Sequence, residues 1–286
     1  MSKKVTVEQM LEAGLHFGHQ TFRWHPNMKP YIFDSRDNIH IIDLTKTEEK
    51  LKDALNFVEQ LAESGGMLML VGTKRQASAT IAEMGKSANL PYIANRWPGG
   101  LLTNFSTMKT RIRHLKQLRE KFAKKDFGDL TKQEIGLLEK KMAILEDAFG
   151  GLDMLTEIPN ALFIVDILRE KIAVKEALRL DIPVVAMVDT NTNPEDIAFP
   201  IPANDDAKQG IRLITKALVD AYVAHRAQLA TSVKTDTQEG EEAVIVEETE
   251  LEEVLRQKEA ALAMSKQEEE EMKQAEEKTK KTSGNN

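Results

Sequence analysis

The chain has 286 residues, room for one large domain or two small ones, and no cysteine, which excludes disulfides, thiol nucleophiles and cysteine-based zinc fingers. Its net charge of −7 at first argues against a polyanionic partner. The charge is segregated, however: residues 229–286 hold 16 acids and 8 bases, a net of −8, so the rest carries +1.

Val7 to Leu15 reads as a short amphipathic helix ending near Gly14 and Gly18. The next segment concentrates Phe17, Phe22, Trp24 and Tyr31 among His16, His19, Arg23, His25 and Lys29, in a protein only 5% aromatic. Interleaved rings and cations suit stacking on bases and pairing with phosphates, and they equally suit a hairpin corner with Phe17 and Phe22 inside. Tyr31–Phe33, a polar turn over 34–38 and Ile39–Ile42 predict a β-hairpin. Thr45 with Glu48 has the spacing of a capping box, and Leu51, Leu55, Val58 and Leu61 put one apolar face on the helix that follows.

Met67–Val71 is a continuous apolar run, as a parallel strand covered on both faces requires. Thr73, Lys74 and Arg75 follow at its C-terminal end, where a helix begins, a place that attracts anions. A nucleotide loop is absent: there is no Gly-x-Gly-x-x-Gly, and Gly85-Lys86-Ser87 follows Thr80 and a helix. The strand over 90–94 runs into Arg96-Trp97-Pro98-Gly99-Gly100-Leu101-Leu102-Thr103-Asn104. Pro98 stops the strand, the glycines permit a sharp turn, and Thr103 or Asn104 can cap the next helix. Arg96 and Trp97 pair a cation with an aromatic face, suited to phosphate contact and stacking. The alternative is that Trp97 fills the joint and Arg96 makes an ordinary ion pair.

Phe105, Met108, Ile112, Leu115 and Phe122 then alternate at spacings of three and four, with Arg119 interrupting. After a turn at 126–129, Thr131 and Glu134 form a capping box, and Ile135, Leu138, Met142, Leu145, Phe149 and Leu152 repeat the heptad. Two matched heptad helices predict an antiparallel coiled-coil hairpin reaching about 25–30 Å and projecting from the body. Lys109 to Lys125 carries eight bases, including Lys109, Arg111, Arg113 and Lys116, against one acid. Such a face suits phosphates, and a merely solvated surface is the competing reading.

Strand–helix alternation resumes after Pro159: a strand over 161–165 ending in Asp166, a helix over 171–180, a strand over 183–188 ending in Asp189, an edge strand over 199–202, and a helix over 207–224 opened by Asp205 or Asp206. The fold class is α/β, a doubly wound, flavodoxin-like parallel sheet with the hairpin inserted. The domain reading is a body over 1–104 and 158–228, an arm over 105–157, and an acidic, disordered tail over 229–286. No apolar run approaches the ~20 residues of a membrane span, and the start lacks a signal core, so a soluble cytoplasmic protein is expected.

The long stretch Arg96-Trp97, Gly99-Gly100 and Leu102-Thr103-Asn104 resembles the signature of the bacterial small-subunit ribosomal protein two family. So do Met10 to His19, Trp24 to Met28, Ile39 to Leu44, Val71 to Lys74, and Pro183-Val184 through Asp189-Thr190-Asn191. The resemblance runs in order through roughly four-fifths of the chain. It implies a structural constituent of the small ribosomal subunit, without catalysis, small-molecule substrate or membrane. Its partners would be small-subunit ribosomal RNA and neighbouring ribosomal proteins, including ribosomal protein one, which it helps anchor. RNA contacts would fall on Arg23, Trp24, Lys29, Thr73, Lys74, Arg75, Arg96, Trp97, Lys109, Arg111, Arg113 and Lys116, mostly fixing position on phosphates. His19, Asp189, Asp205 and Asp206 form a candidate site for a divalent ion, zinc being acceptable to one imidazole with carboxylates. The competing class is a flavodoxin-like nucleotide- or metal-dependent enzyme using the aspartates at the strand ends. No Ser/His/Asp elbow or His-Glu-x-x-His pattern supports it. A third reading is a coiled-coil adaptor with no RNA.

Overall fold

The computed structural model describes residues 5–128 and 130–227. The tail expected to be disordered lies outside the described residues. The elements are α1 (Val7–Glu12), β1 (Phe17–Gln20), a 3-10 helix (Pro26–Tyr31), β2 (Ile32–Arg36), β3 (Ile39–Ile42), α2 (Leu44–Glu63), β4 (Leu68–Val71), α3 (Ser78–Ala88) and β5 (Tyr92–Ile93). They continue with α4 (Phe105–Lys124), α5 (Lys132–Phe149), β6 (Ala161–Val165), α6 (Lys171–Arg179), β7 (Val184–Val188) and β8 (Phe199–Pro202). A last helix, α7, occupies residues 208–227.

Five strands form a parallel sheet in the order β5-β4-β6-β7-β8. The inner strands β4, β6 and β7 are buried along their whole length, which is why they read as unbroken apolar runs. Pro200 and Pro202 lie in β8, at an edge, where a missing donor costs no ladder bond on the open side. Side chains alternate across the sheet. Leu68, Leu70, Phe163, Val165, Val185 and Met187 share one core with apolar residues of α1, α2, α3 and α7. Met69, Val71, Leu162, Ile164, Val184 and Ala186 share the other with α4 and α6.

The predicted hairpin is present as β2 and β3, and its turn is tighter than expected. Asp37 (φ 50°) and Asn38 (φ 61°) both adopt the positive φ that a two-residue type I′ turn demands. β1, read in the sequence as part of a segment of interleaved aromatic rings and cations, joins this hairpin antiparallel to β3. A four-residue Phe-Gly-His-Gln strand has no β-branched signal, and only its pairing reveals it. The expected Thr45 cap is corrected: Asp43 is the N-cap of α2, its Oδ1 accepting from Thr45 N at 3.0 Å. The Thr131–Glu134 capping box is present at the start of α5.

The expectation that residues 105–157 stand clear of the body needs revision at their root. Met108, Ile112 and Leu115 of α4, with Phe149, Leu152 and Leu155, are buried in the same core as the sheet. Farther out, Leu137 and Ile144 are 65% and 70% exposed. Arg119, which breaks the heptad, spans the two helices: Nη2 lies 2.6 Å from Glu146 Oε1 and Nη1 lies 2.6 Å from Asp153 Oδ2. At the tip Phe122 and Phe127 meet edge to face, 5.1 Å between ring centroids.

Candidate nucleic-acid interface

The joint after β5 is built around an acid contributed from α6. Glu176 is 7% exposed, and its carboxylate collects five donors from the joint. Trp97 Nε1 donates to Oε1 at 3.0 Å and Gly100 N at 2.7 Å. Leu102 N, Thr103 N and Thr103 Oγ1 donate to Oε2 at 3.0, 3.2 and 3.2 Å. Gly100, at φ 82°, makes the turn that aims these amides inward. Burial alone would raise the Glu176 pKa, but the donors, led by the indole, outweigh it and hold the group below the ordinary glutamate range. Trp97 is 6% exposed and belongs to the core, so it is not a stacking platform. The packing reading holds for it because an indole N–H needs a buried acceptor and Glu176 supplies one. Arg96 beside it is exposed, without an ion-pair partner among the described residues. Neither expected cap bonds α4's first turn as a side-chain acceptor: Asn104 is the N-cap without such a bond, and the Thr103 hydroxyl is engaged by Glu176.

The chain leaves β4 toward β5 on one side and passes through β6 to β7 on the other, which opens a crevice at the strand C-termini between β4 and β6. The chain's own side chains fill that crevice. Thr73 N donates to Glu170 Oε1 at 3.0 Å, and the Thr73 hydroxyl makes a short bond to the same oxygen. Arg169 Nε donates to Thr73 Oγ1 at 3.0 Å. Glu170 is 2% exposed, and burial raises its pKa against the pull of the Thr73 hydroxyl and amide. Lys74 lies 2.6 Å from both Asp205 Oδ1 and Asp206 Oδ1 and 3.2 Å from Asp166 Oδ2. Thr73 and Lys74 are therefore committed internally, and of the three residues expected here as phosphate contacts only Arg75 is exposed.

The residues considered for a metal do converge, with a different cation among them. His19 Nδ1 lies 3.0 Å from Asp189 Oδ1, and His19 Nε2 is 4.0 Å from Asp206 Oδ2. The neighbouring Asp189 carboxylate raises the His19 pKa, against its burial. Burial, then the charges of Asp189 and Asp166, lift Asp205 to about 7 even though Lys74 pulls the other way. Burial lowers the Lys74 pKa, but the Asp205 and Asp206 bonds outweigh it, so the ammonium stays charged. Among the described residues no group of three or more His, Cys, Asp or Glu is arranged to hold a metal ion. Lys74 supplies a positive charge at that place, within ion-pair distance of Asp205 and Asp206.

The remaining cations face outward. Along α4, Arg111, Arg113 and Lys116 are exposed and Lys109 is half-exposed; Arg111 flanks the buried Met108, Ile112 and Leu115 on one side, and Lys109, Arg113 and Lys116 on the other. Lys109 Nζ lies 6.0 Å from the Phe105 ring. Lys116 Nζ donates to Asp153 O at 2.7 Å, a neutral partner that leaves its charge uncompensated. Near the small antiparallel sheet, Arg23 sits 5.6 Å from the Phe22 ring, and Trp24, 40% exposed, tilts against His40. Lys29 is exposed on the 3-10 helix. Phe17 and Phe22, placed inside in the hairpin-corner reading, are 50% and 74% exposed. Glu176, Glu170 and Asp166 carry no local signal as partners of Trp97, Thr73 and Lys74, which lie 79, 97 and 92 positions (166 minus 74) away in the chain.

A family model described as "Ribosomal protein S2" matches residues 10–224. The chain is 46% identical over 230 residues to the small ribosomal subunit protein uS2 of Dehalococcoides mccartyi strain BAV1, covering 80% of this chain and 94% of the relative. The same identity and coverage hold for the protein of that name in strains CBDB1 and 195. With its buried joint and its outward cations assembled on the doubly wound sheet, the chain belongs to the ribosomal protein S2 family.

Proposed function

We propose that this chain is a structural constituent of the small ribosomal subunit that binds small-subunit ribosomal RNA and helps hold ribosomal protein one. It works by binding, in the cytoplasm on the ribosome, and it is not an enzyme. The observation that carries the RNA reading is the split character of α4. One face is anchored in the core, while Lys109, Arg113 and Lys116 on one flank and Arg111 on the other stand without an ion-pair partner among the described residues. An anchored helix holds these charges at fixed spacing, which lowers the ordering cost of meeting a folded polyanion. On this reading α4 and α5 act as a coiled-coil lever rooted in the body. Arg23, Trp24, Lys29, Arg75 and Arg96 supply further contacts, mostly to phosphates. Thr73, Lys74 and Trp97 drop out of the contact set because their polar atoms are used inside the protein. The filled crevice also speaks against the enzyme reading, since Glu170 and Lys74 occupy the place where an α/β enzyme would seat a ligand. Among the described residues no helix is long and apolar enough to cross a membrane.

The test is sedimentation of lysate at low and high salt, followed by a salt titration of binding to purified small-subunit RNA. The protein should travel with the small subunit, leave it at high salt, and lose affinity steeply between about 50 and 200 mM salt. Salt-independent binding would refute the reading.

A further inference from the structure

We propose that the outward face of α6 is a second phosphate-binding surface, distinct from α4, and that it extends the contact with small-subunit RNA across the body. The inference rests on the RNA reading above and adds residues that neither the motifs nor the charge count along α4 pointed to. At about 100° per residue, Lys171, Lys175 and Arg179 fall within an arc of roughly 80° and form the crest of the helix. Ala173, Val174, Glu176 and Ala177 lie on the opposite side and are buried. Ile172 and Leu178, 51% and 44% exposed, occupy the two shoulders between crest and core. The three cations are exposed and have no ion-pair partner among the described residues. The helix's single acid, Glu176, is turned inward and consumed by the joint. The next acid along the chain, Asp181, lies in the turn beyond the helix end.

A crest of cations with aliphatics only at its edges is complementary to a polyanion. A protein partner would need the apolar side chains at the centre of the patch. Glu176 adds a positional reason. It ties α6 directly to the residues that precede α4, so the two basic faces are held in fixed relation by a buried carboxylate. Two cationic surfaces locked together suit a single rigid, highly charged partner.

The experiment measures binding of the full chain to purified small-subunit RNA from 50 to 300 mM salt. It compares the wild type with K171E/K175E/R179E, with the α4 variant R111E/R113E, and with K52E/K86E/K208E. The last has the same charge change on exposed lysines of α2, α3 and α7. The α6 variant should lose on the order of tenfold in affinity at about 100 mM salt, and its log–log salt slope should fall by about 2 to 3. The equal-charge control should change much less. A photo-crosslinker at Ile172 in assembled small subunits should join RNA. If the α4 variant loses affinity while the α6 variant matches the wild type or the control, the α6 surface is refuted and the RNA reading stands. If no variant loses affinity, the RNA reading itself fails. A crosslink from Ile172 to protein, or none, would likewise overturn the α6 assignment.

Discussion

Replacing Glu176 by Gln tests whether a buried carboxylate holds the joint. The change is nearly isosteric, so no cavity opens, but one oxygen becomes an NH2 group facing backbone N–H donors. Whichever way the amide turns, at least two of the five donors lose their acceptor. A buried donor left unsatisfied costs about 1–3 kcal/mol, and the remaining bonds lose the strength that a charged acceptor gives. The expected loss is about 3–5 kcal/mol, a large share of a stability usually near 5–15 kcal/mol. At about 2–4 °C per kcal/mol for a domain of this size, the melting temperature should fall by about 6–20 °C. Thermal denaturation by circular dichroism reads this directly, and pH supplies a second signature. The Glu176 pKa is depressed in the folded state, so its contribution is present above the ordinary glutamate pKa and is lost as pH falls through the folded value. The gap between wild type and E176Q should therefore be widest near neutrality and close in acid below the normal carboxylate range. A melting temperature within about 1 °C of wild type at pH 7, or a gap that widens in acid, would refute the reasoning.

Trp97→Phe should leave RNA affinity within about twofold of wild type while lowering stability by about 1–3 kcal/mol, since the indole N–H serves Glu176 and not a base. Lys74→Met removes the one ammonium among Asp166, Asp205 and Asp206 and should destabilise by about 3–5 kcal/mol in chemical denaturation; an unchanged midpoint would show that the aspartates manage without it. Gly151→Ala would set a methyl 2.3 Å from Tyr92 O, which β5 cannot easily move, and should cost about 1–3 kcal/mol by the same assay. Arg119→Ala should cost only about 1 kcal/mol because its partners are 49% and 40% exposed; faster hydrogen exchange in α5 with little change in melting temperature is the expected result.

The strands β4, β6 and β7 and the Thr131 cap were legible in the residues because each rests on local rules: unbroken apolar runs, and a hydroxyl three residues before a glutamate. The cationic surface of α4 was legible for the same reason, since helical spacing keeps Arg111 and Arg113, on opposite flanks, off the face that buries Met108 and Ile112. Which cations remain free is a different kind of fact. Lys74 and Arg75 are adjacent and alike in charge, yet one is surrounded by aspartates from just past β6 and from the approach to α7 while the other faces outward. Trp97 and Trp24 likewise differ through Glu176, 79 positions from Trp97. Sequence by itself determined the strand–helix alternation and the charge on α4, because backbone preference and side-chain period act over a few residues. Tertiary structure alone decided which polar groups are spent inside and which are left for a partner. That choice depends on which distant acid the folded sheet brings within hydrogen-bond reach.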